Sequence, residues 1–251
     1  MKSLIKYTAV AALLALAAAC SKGGSGVQSD PFTGSGTGMG GSMARFTITN
    51  DHLYTVSDTK MSVFDISTAS NPVHKNTLDI GWGVETIFPL NDKLFIGTQT
   101  GMKIMDVSNP IDPFKLSEYQ HIRSCDPVVA NEHYAYVTLR TDNMCTRGTN
   151  ELQIIDIADV TKPVMVKSYP MGKPQGLSLD GNNLFVCDNS VVKWYNVTDP
   201  KVLVTKSVTT VEGTDLIARD GILMVIGPGG LSQYSYDTGE LKLLSRIPTT
   251  L

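Results

Sequence analysis

The chain has 251 residues, 42% hydrophobic and 18% charged, with 21 Lys and Arg against 24 Asp and Glu. The apolar share excludes a disordered chain, and the low charge excludes a coiled coil. A formal net charge of −3 leaves no basic excess to neutralise phosphates, so no nucleic-acid partner is expected.

The chain opens with Lys2 and Lys6, followed by an apolar run from Tyr7 to Ala19. Thirteen residues cannot span about 30 Å of hydrocarbon as a helix, but they suit the apolar region of a signal peptide. The segment ends Leu16-Ala17-Ala18-Ala19-Cys20, which resembles the lipobox of bacterial lipoproteins. That resemblance implies cleavage of residues 1–19 and a diacylglycerol on the Cys20 sulfur. Residues 20–42 follow as a tether. Gly and Ser fill 12 of the 20 positions from 23 to 42, a composition that cannot offset its own ordering entropy. Such a tether has a root-mean-square reach of roughly 25 Å. Processing removes two lysines, so 19 basic against 24 acidic residues gives −5. Membrane attachment therefore rests on the lipid and not on a basic patch.

A period appears over residues 43–251. Turn-plus-strand segments recur, and their aligned residues Leu53, Leu94, Tyr134, Leu184 and Leu223 lie 41, 40, 50 and 39 apart. A second landmark follows each: Phe64-Asp65-Ile66, Met105-Asp106-Val107, Ile155-Asp156-Ile157, Tyr195-Asn196-Val197 and Tyr234-Ser235-Tyr236. In the second unit, four short runs are separated by Asn-Asp, Thr-Gly and Asn-Pro turns: Glu85–Leu90, Lys93–Thr98, Met102–Val107 and Phe114–Tyr119. Four strands every forty or so residues is the period of a propeller blade. The expected fold is all-β: a single β-propeller domain of five four-stranded blades. It begins with Ala44–Thr49, ends with Lys242–Ile247, and closes by packing of the first blade against the fifth.

The Ile-Met-Asp-Val-Ser-Asn-Pro and Ile-Ile-Asp-Ile cores resemble LVIVD repeats. The stretches GVETIFPLNDKLFIGTQTGMKIMDVSNP, RSCDPVVANEHYAYVTLR and PQGLSLDGNNLFVCDN are similar to exported LVIVD proteins of Bacteroidetes-type bacteria. The resemblance runs over about residues 44–247, departs in the fifth unit at Tyr236 and Asp237, and implies a propeller-like fold and an exported location. It implies no activity.

Setting Cys20 aside leaves Cys125, Cys145 and Cys187. Cys125 opens an inner strand, and Cys145 sits in Thr141–Asn150, the insertion that breaks the period. Both positions fall on one face of a propeller, so a Cys125–Cys145 disulfide is expected in an oxidising compartment. Cys187 lies within a strand and reads as a small apolar core residue.

No catalytic motif and no metal-ligand spacing stands out, and no cofactor is implied. His52 and His133 occupy equivalent turn positions. The repeat does single out residues eight places before each aligned strand residue: Arg45, Thr86, Asp126, Gly176 and Asp215, with Glu85 and Gln175 adjacent. These start the inner strands and would ring the mouth of the channel. Arg45, Glu85, Asp126, Gln175 and Asp215 are thus candidate ligand-binding residues. They can also be read as a solvated ring of paired charges. The expected role is a lipid-anchored binding module of the cell envelope, at the outer membrane, with a protein or glycan partner. The alternative is a glycoside hydrolase using Glu85, Asp126 and Asp215, which requires two carboxyls about 5–9.5 Å apart. Trp82 is the candidate sugar platform at the mouth, and Trp194 reads as core.

Overall fold

The fold is seen in a computed structural model that describes residues 40–121, 127–141 and 149–249. The expected signal peptide, Cys20, Cys125, Asp126 and Cys145 lie outside the described residues.

Five antiparallel four-stranded sheets, each in simple sequential order, form a five-bladed β-propeller. Blade one is β1 (Phe46–Thr49), β2 (His52–Val56), β3 (Lys60–Asp65) and β4 (Val73–Asp79). Blade two is β5 (Val84–Leu90), β6 (Lys93–Thr98), β7 (Gly101–Asp106) and β8 (Phe114–Gln120). Blade three is β9 (Val128–Ala130), β10 (Tyr134–Leu139), β11 (Glu151–Asp156) and β12 (Val164–Pro170). Blade four is β13 (Pro174–Asp180), β14 (Asn183–Asp188), β15 (Val191–Asn196) and β16 (Val204–Thr210). Blade five is β17 (Asp215–Arg219), β18 (Ile222–Gly227), β19 (Gly230–Ser235) and β20 (Lys242–Ile247). The first strands of successive blades lie side by side, from β1 against β5 through to β13 against β17, which makes them the inner strands.

Local chemistry explains the period. The hairpin between β1 and β2 turns on Asn50 and Asp51, at φ of 50° and 55°, and that between β17 and β18 on Asp220 and Gly221, at 51° and 80°. Two consecutive left-handed residues match the twist of the flanking strands, and Asn, Asp and Gly tolerate that conformation best. The landmark Asp caps the end of the third strand in blades one to three, and Asn196 does the same in blade four. Asp65 Oδ1 accepts from the Ser67 amide at 3.0 Å and the Ser67 hydroxyl at 2.6 Å, and Asp106 holds Ser108 in the same way. These hydrogen bonds hold both carboxyls well below the usual range, Asp106 at about 2. A register shift recurs between the third and fourth strands of every blade, one residue before the landmark pair, as at Val63/Phe64 and Ile104/Met105. Bulges at one repeat position add the same local twist to all five sheets.

Burial between blades builds the core. Tyr54, Val56, Met61 and Val63 meet Ile87, Leu94, Ile96 and Met105 of the next blade. Phe95, Met102 and Ile104 meet Val128, Val137 and Ile155, and Tyr136, Leu152 and Ile154 meet Leu177, Leu184 and Val186. Between blades four and five, Phe185, Cys187, Val192 and Trp194 meet Leu216, Leu223 and Val225. Trp194 is buried as expected, stacked 5.3 Å from Phe185 and edge-on to Tyr236. Cys187 is a buried free thiol, and burial raises its proton affinity. The fifth unit's departure from the repeat has a packing reason. Tyr236 takes the place of an aliphatic residue, fills the junction beside Phe185 and Trp194, and donates its hydroxyl to Asp180 of blade four.

Two expectations need correction. Gly40–Ser42 belong to the folded domain and not to the tether: Ser42 is buried between blades four and five. Nor does blade one pack on blade five through a shared core. Among the described residues, four buried apolar clusters serve four junctions, and none joins the fifth blade to the first.

Candidate functional site

The inner strands are tied to one another by single hydrogen bonds near their starts. The Ile87 amide donates to the Ala44 carbonyl at 2.9 Å, and the Gly176 amide to Thr214 at 3.0 Å. The Thr138 hydroxyl donates to the Gln175 carbonyl at 2.7 Å. This registration brings the beginnings of blades one to four around a cavity of about 270 Å³. Its described lining is Met43 and Arg45 from blade one, Glu85 and Thr86 from blade two, Pro127 and Arg140 from blade three, and Pro174 and Gln175 from blade four. Four of the residues singled out by spacing, Arg45, Glu85, Thr86 and Gln175, therefore line one cavity. Arg45 is exposed on it, and its Nη2 donates to the Val84 carbonyl at 3.1 Å, which aims the guanidinium across the first junction.

Arg140 lies six residues after the aligned Tyr134 and not eight before it, so the spacing does not single it out. It follows β10 directly and enters the mouth from the second strand of its blade. The described lining thus holds two guanidinium groups and one carboxylate, Glu85. Gln175 also borders a second cavity of about 270 Å³, toward blade five, with Ser190, Glu212 and Thr214.

Asp215 is placed differently. Its Oδ1 accepts from the Ser42 hydroxyl at 3.1 Å and the Leu216 amide at 2.9 Å, and its Oδ2 accepts from the Met43 amide at 3.3 Å. Ser42 Oγ in turn accepts from the Leu177 amide at 2.8 Å. Asp215 is a latch for the incoming chain and does not line the cavity. Burial pushes its carboxyl above the usual range, while these donors pull it back. The latch requires glycine on both sides. A Cβ on Gly41 would lie 2.1 Å from Asp215 Oδ2, and one on Gly176 would lie 2.2 Å from Oδ1.

The other singled-out residues do not assemble a site. Trp82 is exposed at 56% on the loop before β5, outside the cavity lining. His52 bonds to the Asn50 carbonyl in its own turn, and His133 packs against Tyr134. Among the described residues, no group of three or more His, Cys, Asp or Glu side chains is placed to hold a metal ion.

Comparison with known proteins supports the repeat and the fold. The LVIVD repeat matches residues 92–120, which hold β6 to β8 of blade two, and 123–170, which hold blade three. No curated protein matches the chain by sequence. Among solved structures, a protein from Lactobacillus plantarum is similar at 13% identity with a TM-score of 0.64, covering 79% of this chain and 69% of its own. A functionally unknown protein from Desulfotomaculum acetoxidans is similar at 11% identity and a TM-score of 0.61, covering 79% of this chain and 68% of its own. A Bacteroides uniformis protein, named provisionally as a 6-phosphogluconolactonase, is similar at 12% identity and a TM-score of 0.60, covering 85% and 71%. At these identities the likeness is one of fold.

Proposed function

We propose that this chain is an exported, lipid-anchored propeller that acts as a binding module of the bacterial cell envelope, at the outer membrane. In this reading Cys20 carries the lipid, and the mouth formed by Arg45, Glu85, Arg140 and Gln175 takes the partner. The observation that carries it is the cavity itself: four blades converge there, and its described lining has two guanidiniums to one carboxylate in a chain of net negative charge. Guanidinium groups pair with carboxylates and phosphates through two parallel hydrogen bonds, so the partner is an envelope glycan or protein that presents an anionic group. A Cys125–Cys145 bridge belongs to the same proposal, as does the Thr141–Asn150 loop that it would hold beside Arg140.

Binding is favoured over glycoside hydrolysis. Hydrolysis needs a pair of carboxyls facing one space. Of the three candidates, Asp215 is committed to the latch, Asp126 lies outside the described residues, and Glu85 supplies the one carboxylate of the described lining.

Site-specific photo-crosslinking in intact cells tests the reading. A photoreactive residue at Met43, on the mouth, is expected to capture a partner, whereas one at Asp199, in the turn between β15 and β16 at the opposite end, is not. Arg45→Glu is expected to abolish the Met43 adduct. Equal capture at both positions, or a Met43 adduct indifferent to Arg45→Glu, would remove the mouth from the account.

A further inference from the structure

The four junctions of the ring share one register, so equivalent positions can be compared directly. On the leading face of each blade, the inner-strand residues Ile87, Val128, Leu177 and Leu216 pair with Ile96, Val137, Val186 and Val225. All four are at most 1% exposed. Phe46 holds the same position in blade one, opposite Thr55, and is 58% exposed. On the trailing face, Val56, Thr138 and Cys187 are buried at one position of the second strand. Their equivalent in blade five, Ile226, is 54% exposed. Half-buried apolar neighbours extend both faces, Leu53 and Phe64 beside Phe46, and Met224 and Leu231 beside Ile226.

We infer that this seam is a self-association surface, in which the trailing face of blade five in one copy packs on the leading face of blade one in another. The argument for a second copy is register. The two uncovered faces are the two halves of a junction that this chain already builds four times, with the same strand order and the same pairing register. A second copy brings the matching half ready made. Exposed apolar surface of this kind marks a site of association. The contact is heterologous, because unlike faces meet, so each assembly keeps one free face at either end and grows with concentration unless it closes into a ring. The mouth and its partner play no part in it.

Sedimentation of the full-length protein across a wide concentration range tests this, in detergent where the chain is lipidated. The wild type is expected to self-associate, and Phe46→Asp or Ile226→Lys is expected to weaken association about tenfold or more. Both side chains are more than half exposed, so each variant is expected to keep the wild-type circular dichroism and melting temperature. Mixing the two variants discriminates further. The Phe46→Asp chain retains an intact blade five and the Ile226→Lys chain an intact blade one, so the mixture is expected to form a dimer that neither forms alone. A second measurement is independent of charge: oxidation of a Phe46→Cys and Ile226→Cys mixture is expected to give a mixed-disulfide dimer. A wild type that stays monomeric, variants that associate normally, or a mixture that yields only monomers would overturn the inference.

Discussion

Ser42→Ala tests whether the latch at Asp215 holds the entry of the chain into the ring. Ser42 is 1% exposed, and its hydroxyl does two things: it donates to Asp215 and accepts from the Leu177 amide. Alanine leaves that amide buried without its acceptor, at about 1–3 kcal/mol, and removes a hydrogen bond to a carboxylate, at about 1.5–3 kcal/mol. Asp215 keeps its bonds from the Met43 and Leu216 amides, which limits the second loss. The expected destabilisation is about 2–4 kcal/mol, or roughly 5–15 °C in melting temperature for a domain of this size. Chemical unfolding followed by circular dichroism and by tryptophan fluorescence measures it, with coincident transitions as the check on two-state behaviour. Ser245→Ala, on the exposed outer strand β20, is the control, since that hydroxyl bonds to Gln233 of β19. If Ser42→Ala falls within about 0.5 kcal/mol of wild type, the range of an ordinary surface substitution, the latch contributes nothing.

Three further outcomes follow from the same geometry and from the expected anchor. Gly176→Ala is expected to destabilise more than Gly41→Ala, because the Cβ of the former meets the Asp215 backbone Cα at 2.6 Å while that of the latter meets only side-chain atoms; comparative melting checks the order. The two classes of aspartate are expected to respond to pH with opposite sign. Asp106, whose proton affinity is lowered in the fold, stabilises above the ordinary carboxylate value and loses that contribution as pH falls toward about 2, so the cost of Asp106→Asn shrinks in acid. Asp215 is raised by burial, so its contribution is complete below the unfolded value and is lost as pH rises through the folded one. The cost of Asp215→Asn is therefore largest in acid, and unfolding curves from pH 3 to 7 (about the range between the two limits) separate the pair. Finally, Cys20→Ser is expected to release the protein from membranes in high-salt, detergent-free fractionation; continued co-sedimentation would remove the lipid anchor.

The blades were legible because each is specified by short-range chemistry. Lys93–Thr98 and Lys242–Ile247 coincide with β6 and β20, since the turns before them carry left-handed residues, Asn91 and Gly239, that only a few residue types supply. The inner-strand starts were legible by offset, and the structure places Arg45, Glu85 and Gln175 on one cavity. Arg140 escaped because it enters from a second strand. The role of Ser42 escaped for a different reason. Its neighbourhood reads as a flexible Gly/Ser stretch, and its partner Asp215 lies 173 residues away. The small size that suggests a tether is what lets Gly41 and Gly176 approach the Asp215 carboxylate.

The seam could not be read from the pattern at all, because a repeat encodes each face as though a neighbour were present. Phe46 and Ile226 carry the residue types of buried positions and differ from Ile87 or Cys187 only in lying at the ends of the array. In a chain of repeats, stability comes from the nearest-neighbour interfaces, and terminal units bury less than internal ones. Among the described residues four junctions are apolar, whereas blade five is linked to the entry of blade one by the Ser42 and Met43 hydrogen bonds to Asp215. The two kinds of junction therefore differ in what breaks them. Truncating Ile87, at most 1% exposed, removes apolar burial and leaves a cavity, at about 2–5 kcal/mol. Truncating Phe46 removes little that the isolated chain uses for folding. Its effect is expected to appear only where a second face is present to cover it.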